Sequence, residues 1–132
     1  MVGALPSRKV NSVKRHREGT VLYDAGNYKE AIDRFLQASQ LYEKVGDFFD
    51  ASYTLLKAAE CSLLLKDYET AVKRFLETAE KASRRGYDRL ELCALEYSDD
   101  CHRAAGKAEC KEVEDIEERI AEVKKKLASQ TY

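Results

Sequence analysis

With 132 residues, 44% of them hydrophobic and 36% charged, the chain can bury a core as one domain without disulfide or metal staples. Six glycines and one proline are too few turn residues for a β-sandwich and favour helices, whose interiors exclude both. A net charge of −1 excludes bulk attraction to nucleic acid, and apolar runs such as Leu63-Leu64-Leu65 fall far short of a bilayer span, so neither a membrane span nor a secretory signal is expected.

Residues 1–8 read as a disordered or weakly ordered arm. The first 20 residues hold Arg8, Lys9, Lys14, Arg15 and Arg17 against Glu18 alone, about +4, which leaves the rest of the chain at about −5. A basic arm suits phosphate or an acidic partner, but without aromatic interleaving or a nucleic-acid motif a solvated first helix is the better reading. From residue 9 onward apolar positions recur three or four apart, which predicts amphipathic helices over 9–24, 28–44, 48–65, 68–85, 88–104 and 107–128, with 129–132 as a tail. Gly26, Asn27, Gly46 and Gly86 are suited to the left-handed conformation that ends a helix, and Asp47, Asp67 and Asp88 to capping the next one. Such short connections make neighbouring helices antiparallel.

A repeat runs through these elements. Gly26-Asn27-Tyr28-Lys29-Glu30-Ala31 is echoed 40 residues later by Lys66-Asp67-Tyr68-Glu69-Thr70-Ala71, and Arg34-Phe35-Leu36 by Arg74-Phe75-Leu76. The same offset links Gly46 to Gly86, Leu55 to Leu95 and Cys61 to Cys101, and its double links Gly26 to Gly106. One helix of each pair carries the stripe Tyr28, Ala31, Ile32, Phe35, Ala38, then Tyr68, Ala71, Val72, Phe75, Ala79. Alanines allow close approach and aromatics fill the space around them, so packing accounts for these residues.

The last helix places Val113, Ile116, Ile120, Val123 and Leu127 three and four apart, a seam of just over two heptads. Its acidic residues come early and its lysines late, in accord with the helix dipole. Capping of the repeat stack is preferred over a self-association seam, because sustained coiled coils need more heptads, but a homodimer stays open.

Chemistry-bearing residues are sparse. Cys61, Cys93, Cys101 and Cys110 contain no Cys-x-x-Cys pair, so free thiols are expected rather than a metal site, and reduced cysteines favour the cytosol. Cys101-His102 invites a nucleophile-and-base reading, but adjacent helical residues point about 100° apart. No phosphate loop, serine elbow or zinc-protease pattern occurs. No enzyme activity, metal or cofactor is expected.

The repeat resembles the tetratricopeptide (TPR) family, whose pattern has a small residue in the first helix, Gly-x-Tyr-x-x-Ala at the turn, then an aromatic and another small residue. Gly19, Gly26, Tyr28, Ala31, Phe35 and Ala38 match in the first unit, and Ala59, Tyr68, Ala71 and Phe75 in the second, over roughly residues 12–105. The period of 40 exceeds the usual 34, and with Ala58-Ala59-Glu60-Cys61 and Lys66-Asp67-Tyr68 it is similar to the long-helix variant of the soluble NSF attachment proteins of vesicle fusion. The third unit departs from the pattern at Asp99, Ala108 and Lys111. The resemblance implies an all-α, right-handed solenoid of antiparallel helix hairpins over 9–128, in units 9–44, 48–85 and 88–128, closed by a C-terminal capping helix.

It further implies a cytoplasmic adaptor that holds a peptide or helix of a partner protein in a concave groove lined by Thr20, Tyr23, Tyr53, Leu56, Lys57, Glu60, Leu63, Glu96, Asp100 and Arg103. Tyr23 and Tyr53 are the expected anchors, since an aromatic ring with a polar tip gives contact area at low entropy cost. Family members that clamp acidic chaperone tails use Lys, Asn and Arg where this chain has His16, Thr20, Lys57, Cys93 and Tyr97, so chaperone-tail binding is not expected. The attachment proteins are longer and end in an acidic, leucine-containing tail that engages their ATPase, whereas this chain ends Leu127-Ala128-Ser129-Gln130-Thr131-Tyr132. The fold is carried over and that activity is not. Self-association through the last helix is the alternative function, and a nucleic-acid accessory role stands behind both.

Overall fold

A computed structural model describes residues 4–130, the side chains of 4–8 excepted. The described residues form α1 (Ala4–Asp24), α2 (Tyr28–Lys44), α3 (Phe48–Leu64), α4 (Tyr68–Arg85), α5 (Asp88–Ala104) and α6 (Lys111–Ser129), and no strand. The architecture is the expected all-α run of helix hairpins. The chain divides into two compact units, residues 1–66 and 67–132, each holding three helices.

One backbone event terminates the first five helices. Gly26, Gly46, Gly86 and Gly106 all take φ between 75° and 80°, and Lys66 takes φ 62° at the matching place between α3 and α4. These five residues stand 20 apart, so the 40-residue sequence period is two such steps. At four of the turns the next N–H reaches back to a carbonyl in the last helical turn: Asn27 to Leu22 at 2.8 Å, Asp47 to Tyr42 at 2.9 Å, Tyr87 to Ala82 at 2.9 Å and Lys107 to His102 at 2.7 Å. This is the Schellman closure, which satisfies carbonyls that a bare helix end leaves open.

Inside the first unit α1 packs on α2 and α2 on α3. Ala31, Phe35, Ala58 and Cys61 form one buried cluster, bordered by Leu22, Tyr23, Tyr28, Ile32 and Leu36. A second joins Ala38, Tyr42 and Ala51, with Val13 against it. Phe35 has no exposed surface, and burial of such a ring contributes about 1.5–3 kcal/mol. Its fit depends on Gly19, where an added Cβ would come within 2.8 Å of the Phe35 ring.

In the second unit α4 packs on α5 and α5 on α6. Ala71, Phe75, Thr78, Ala79 and Ala82 are buried on α4, at the places held on α2 by Ala31, Phe35, Ala38, Ser39 and Tyr42. The Phe75 ring stacks on Tyr97 with centroids 5.0 Å apart. Polar ties fix α6 to α5: Arg119 Nη2 donates to the buried Glu91 Oε2 at 3.2 Å, and Gln130 Nε2 donates to Asp88 Oδ2 at 3.0 Å.

Several boundaries and caps differ from the sequence reading. α1 begins at Ala4, not at residue 9, because Pro6 falls in the first turn, where its missing N–H costs no helical bond. Residues 1–3 of the expected arm and 131–132 of the expected tail lie outside the described residues. α6 begins at Lys111 instead of 107; Ala108 and Lys111 stand where the earlier repeats have Tyr and Ala, and residues 108–110 form a turn. Asn27 is not left-handed, with φ −87°. Of the three expected capping aspartates, Asp67 accepts a bond from the Thr70 N–H at 3.4 Å. Asp47 makes no side-chain cap bond and pairs with Lys9 instead, while Asp88 is the first helical residue, behind Tyr87 as the cap.

Two stability outcomes are expected. A non-glycine residue in the left-handed region is strained, so Lys66→Gly should raise stability by about 0.5–1 kcal/mol in urea unfolding. Gly19→Ala should lower it by about 1–3 kcal/mol through overpacking against Phe35, although alanine is the better helix former. A gain of about 1 kcal/mol from Gly19→Ala would mean that Phe35 moves aside without strain.

Candidate partner-binding site

The expected groove residues of the first unit sit on α1 and α3. The Lys57 ammonium lies 4.2 Å from the centre of the Tyr23 ring and donates to Glu60 Oε2 at 2.7 Å. Burial alone would lower the Lys57 pKa, but the Glu60 hydrogen bond and charge outweigh it and hold the ammonium above its ordinary value. Burial likewise raises the Tyr23 phenol. Tyr23 meets Tyr28 edge to face at 5.6 Å. Tyr53 is 36% exposed, and its ring tilts against His16 at 6.0 Å. Thr20 is exposed, with its hydroxyl donating to the His16 carbonyl at 3.1 Å, and Leu63 is half-buried.

Leu56 does not belong on this surface. It is only 3% exposed, because α3 buries residues around most of its circumference. A helix that is apolar nearly all round gives no single sequence stripe from which to separate the outer face from the core. His16, conversely, was legible only as a chaperone-clamp position and proves central. Its Nδ1 shares a hydrogen bond with the Tyr42 hydroxyl at 3.0 Å, and its ring meets Phe35 at 6.2 Å and Tyr42 at 5.8 Å. Lys9 adds to this cluster by pairing with Asp47 and lying 5.5 Å from the centre of the Tyr42 ring. No short-range sequence signal joins residues 38 positions apart.

In the second unit Glu96, Asp100 and Arg103 are all exposed along α5. Glu96 and Asp100 border a hollow of about 500 Å³ whose walls also include Arg89, Leu92, Cys93, Tyr97 and Leu127. Arg103 lies 3.4 Å from both Asp99 and Glu117. Of the seam residues, Val113, Ile116 and Val123 are buried in the folded chain, while Ile120 and Leu127 keep partial exposure. Three of the five positions are therefore already used in packing.

None of the four cysteines is joined in a disulfide, and Cys61 and Cys101 are buried. Burial, reinforced by the Asp100 charge, pushes the Cys101 thiol up to about 11. His102 Nδ1 donates to the Ser98 carbonyl at 3.0 Å. Among the described residues no group of three or more His, Cys, Asp or Glu side chains is placed to hold a metal ion, and no helix is long and apolar enough to cross a membrane.

Comparison with known proteins gives one family: the model described as soluble NSF attachment protein, SNAP, matches residues 8–91, more than half of the chain. The match runs from α1 into the first turn of α5 and includes the Tyr23, Tyr53 and Lys57 surface. No curated protein matches the chain.

His16 gives this region a pH signature. Burial is the largest influence on its pKa and lowers it, with Lys57 adding to the effect and Asp50 opposing it. The folded state therefore prefers neutral imidazole. Its contribution is present above the unfolded pKa of about 6.5 and is lost as pH falls through the lower folded value. Urea midpoints should decline between about pH 7 and 5, and His16→Gln should flatten that decline. An unchanged slope in the variant would assign it to other groups.

Proposed function

The chain belongs to the soluble NSF attachment protein family, and from that premise we propose that it binds a peptide or helix of a partner protein on the α1 and α3 face of the first unit. The family is helical and of the non-enzymatic adaptor type, which supports protein binding as the general role. The observation that carries the finer reading is the Tyr23, Lys57 and Glu60 cluster beside the exposed Tyr53. The lysine is held by both a ring and a carboxylate, so its geometry is set before a partner arrives. Side chains fixed in advance lose little entropy on binding, and an aromatic with an exposed edge is the commonest kind of anchor.

On the second unit Glu96, Asp100 and Arg103 supply a polar surface of mixed sign. Four cysteines outside any disulfide suit a reducing compartment, and we place the adaptor in the cytoplasm.

Selection of a displayed peptide library on the purified chain tests this reading. Selected peptides should bind in fluorescence anisotropy, and Tyr53→Ala should weaken them by at least about tenfold, equivalent to about 1.4 kcal/mol. Peptides that bind equally well to Tyr53→Ala and Tyr23→Ala variants would remove the assignment to this face.

A further inference from the structure

The surface along α5 and α6 has a different chemistry from that around Tyr53. Two hollows, of about 500 and 310 Å³, share Glu96 and Asp100 in their walls. The larger is walled by the apolar parts of Leu92, Tyr97 and Leu127. The smaller adds Asp99 and Glu117, so four carboxylates border the pair of hollows, with Arg89 in the wall of the larger and Lys124 in that of the smaller.

Two cations, Lys124 and Arg103, pair with three of those four carboxylates. Lys124 lies 3.8 Å from Glu96, and the single Arg103 is divided between Asp99 and Glu117. Most of these side chains are about half exposed, the class of ion pair that water screens and a competing cation readily exchanges. Asp100 is exposed and has no ion pair among the described residues. An unpaired exposed carboxylate favours an incoming cationic donor.

We propose that this surface docks an amphipathic partner segment whose apolar side chains enter the hollow beside Leu92, Tyr97 and Leu127 while its lysine or arginine side chains meet Glu96, Asp100 and Glu117. Apolar walls give such a segment affinity, and the excess of carboxylates selects its sign and repels phosphate. The family match ends at residue 91, so the surface lies outside the part of the chain that carries the family pattern. This inference rests on the reading of the chain as a protein-binding module and deepens it by assigning the partner's chemistry.

The probes are a fluorescein-labelled helical peptide of leucine and lysine, and its counterpart with glutamate in place of lysine, titrated with the full chain at low and physiological salt. The lysine peptide should bind at least about tenfold more tightly than the glutamate peptide. The combined Glu96→Gln, Asp100→Asn and Glu117→Gln variant should weaken it at least about tenfold. The α4 variant Glu69→Gln, Glu77→Gln and Glu80→Gln, which removes the same charge from exposed positions elsewhere, should leave it unchanged. Equal binding of the two peptides, equal losses in the two triple variants, or no binding of either peptide would overturn the proposal. A chain that is dimeric in light scattering and becomes monomeric in the α5 and α6 variant would also overturn it, by assigning the surface to a second copy. Tyr53→Ala should not alter the lysine peptide's affinity, so failure of the first-unit reading and failure of this one give different results.

Discussion

The fold depends on one backbone conformation repeated at fixed spacing. A left-handed residue at 26, 46, 66, 86 and 106 stops each of the first five helices at the same phase, and the four glycines among them adopt it without steric cost. Because the stops are 20 residues apart, α2 to α5 have nearly equal lengths of 17 or 18 residues, about 25 Å each. Equal lengths allow residues at the same repeat position to meet equivalent surroundings. Phe35 and Phe75 are therefore both fully buried, and so are Cys61 and Cys101.

Once the turns are set, small residues decide how closely helices approach, and function falls to the side chains that packing does not use. Gly19 admits the Phe35 ring, which puts Tyr23 one turn away on α1, near Lys57 of α3. In the second unit the Glu91 and Arg119 pair and the Asp88 ties hold α6 along α5. That arrangement leaves carboxylates concentrated around Glu96 and Asp100. The two units thus present different chemistries from the same repeat plan, aromatic with a held cation in one and apolar with excess negative charge in the other.

Much of this was legible in the sequence because turn residues and helical periodicity are local signals. The six helices, their type and most of their ends followed from glycine placement and the 40-residue echo. The departures have local causes as well: Pro6 extends α1 toward the N-terminus, and the loss of the Tyr and Ala anchors delays α6. The candidate surfaces were less legible, because lateral exposure depends on which neighbours a helix acquires. Leu56 looks like its neighbours in sequence yet is enclosed, and Lys9, His16 and Tyr42 come together across helices with no motif to announce them. The seam of α6 reads in sequence as a cap in preference to a dimer contact, and the folded chain shows Val113, Ile116 and Val123 already buried.

The most direct test of the central claim, that partner recognition falls to outward side chains on the α1 and α3 face, is amide chemical-shift mapping of the labelled chain titrated with a library-selected peptide. The largest shifts should cluster at residues 16–24 and 49–63, around Thr20, Tyr23, Tyr53, Lys57 and Glu60. Shifts confined to the outer face of α2, or to turns distant from Tyr53, would contradict it.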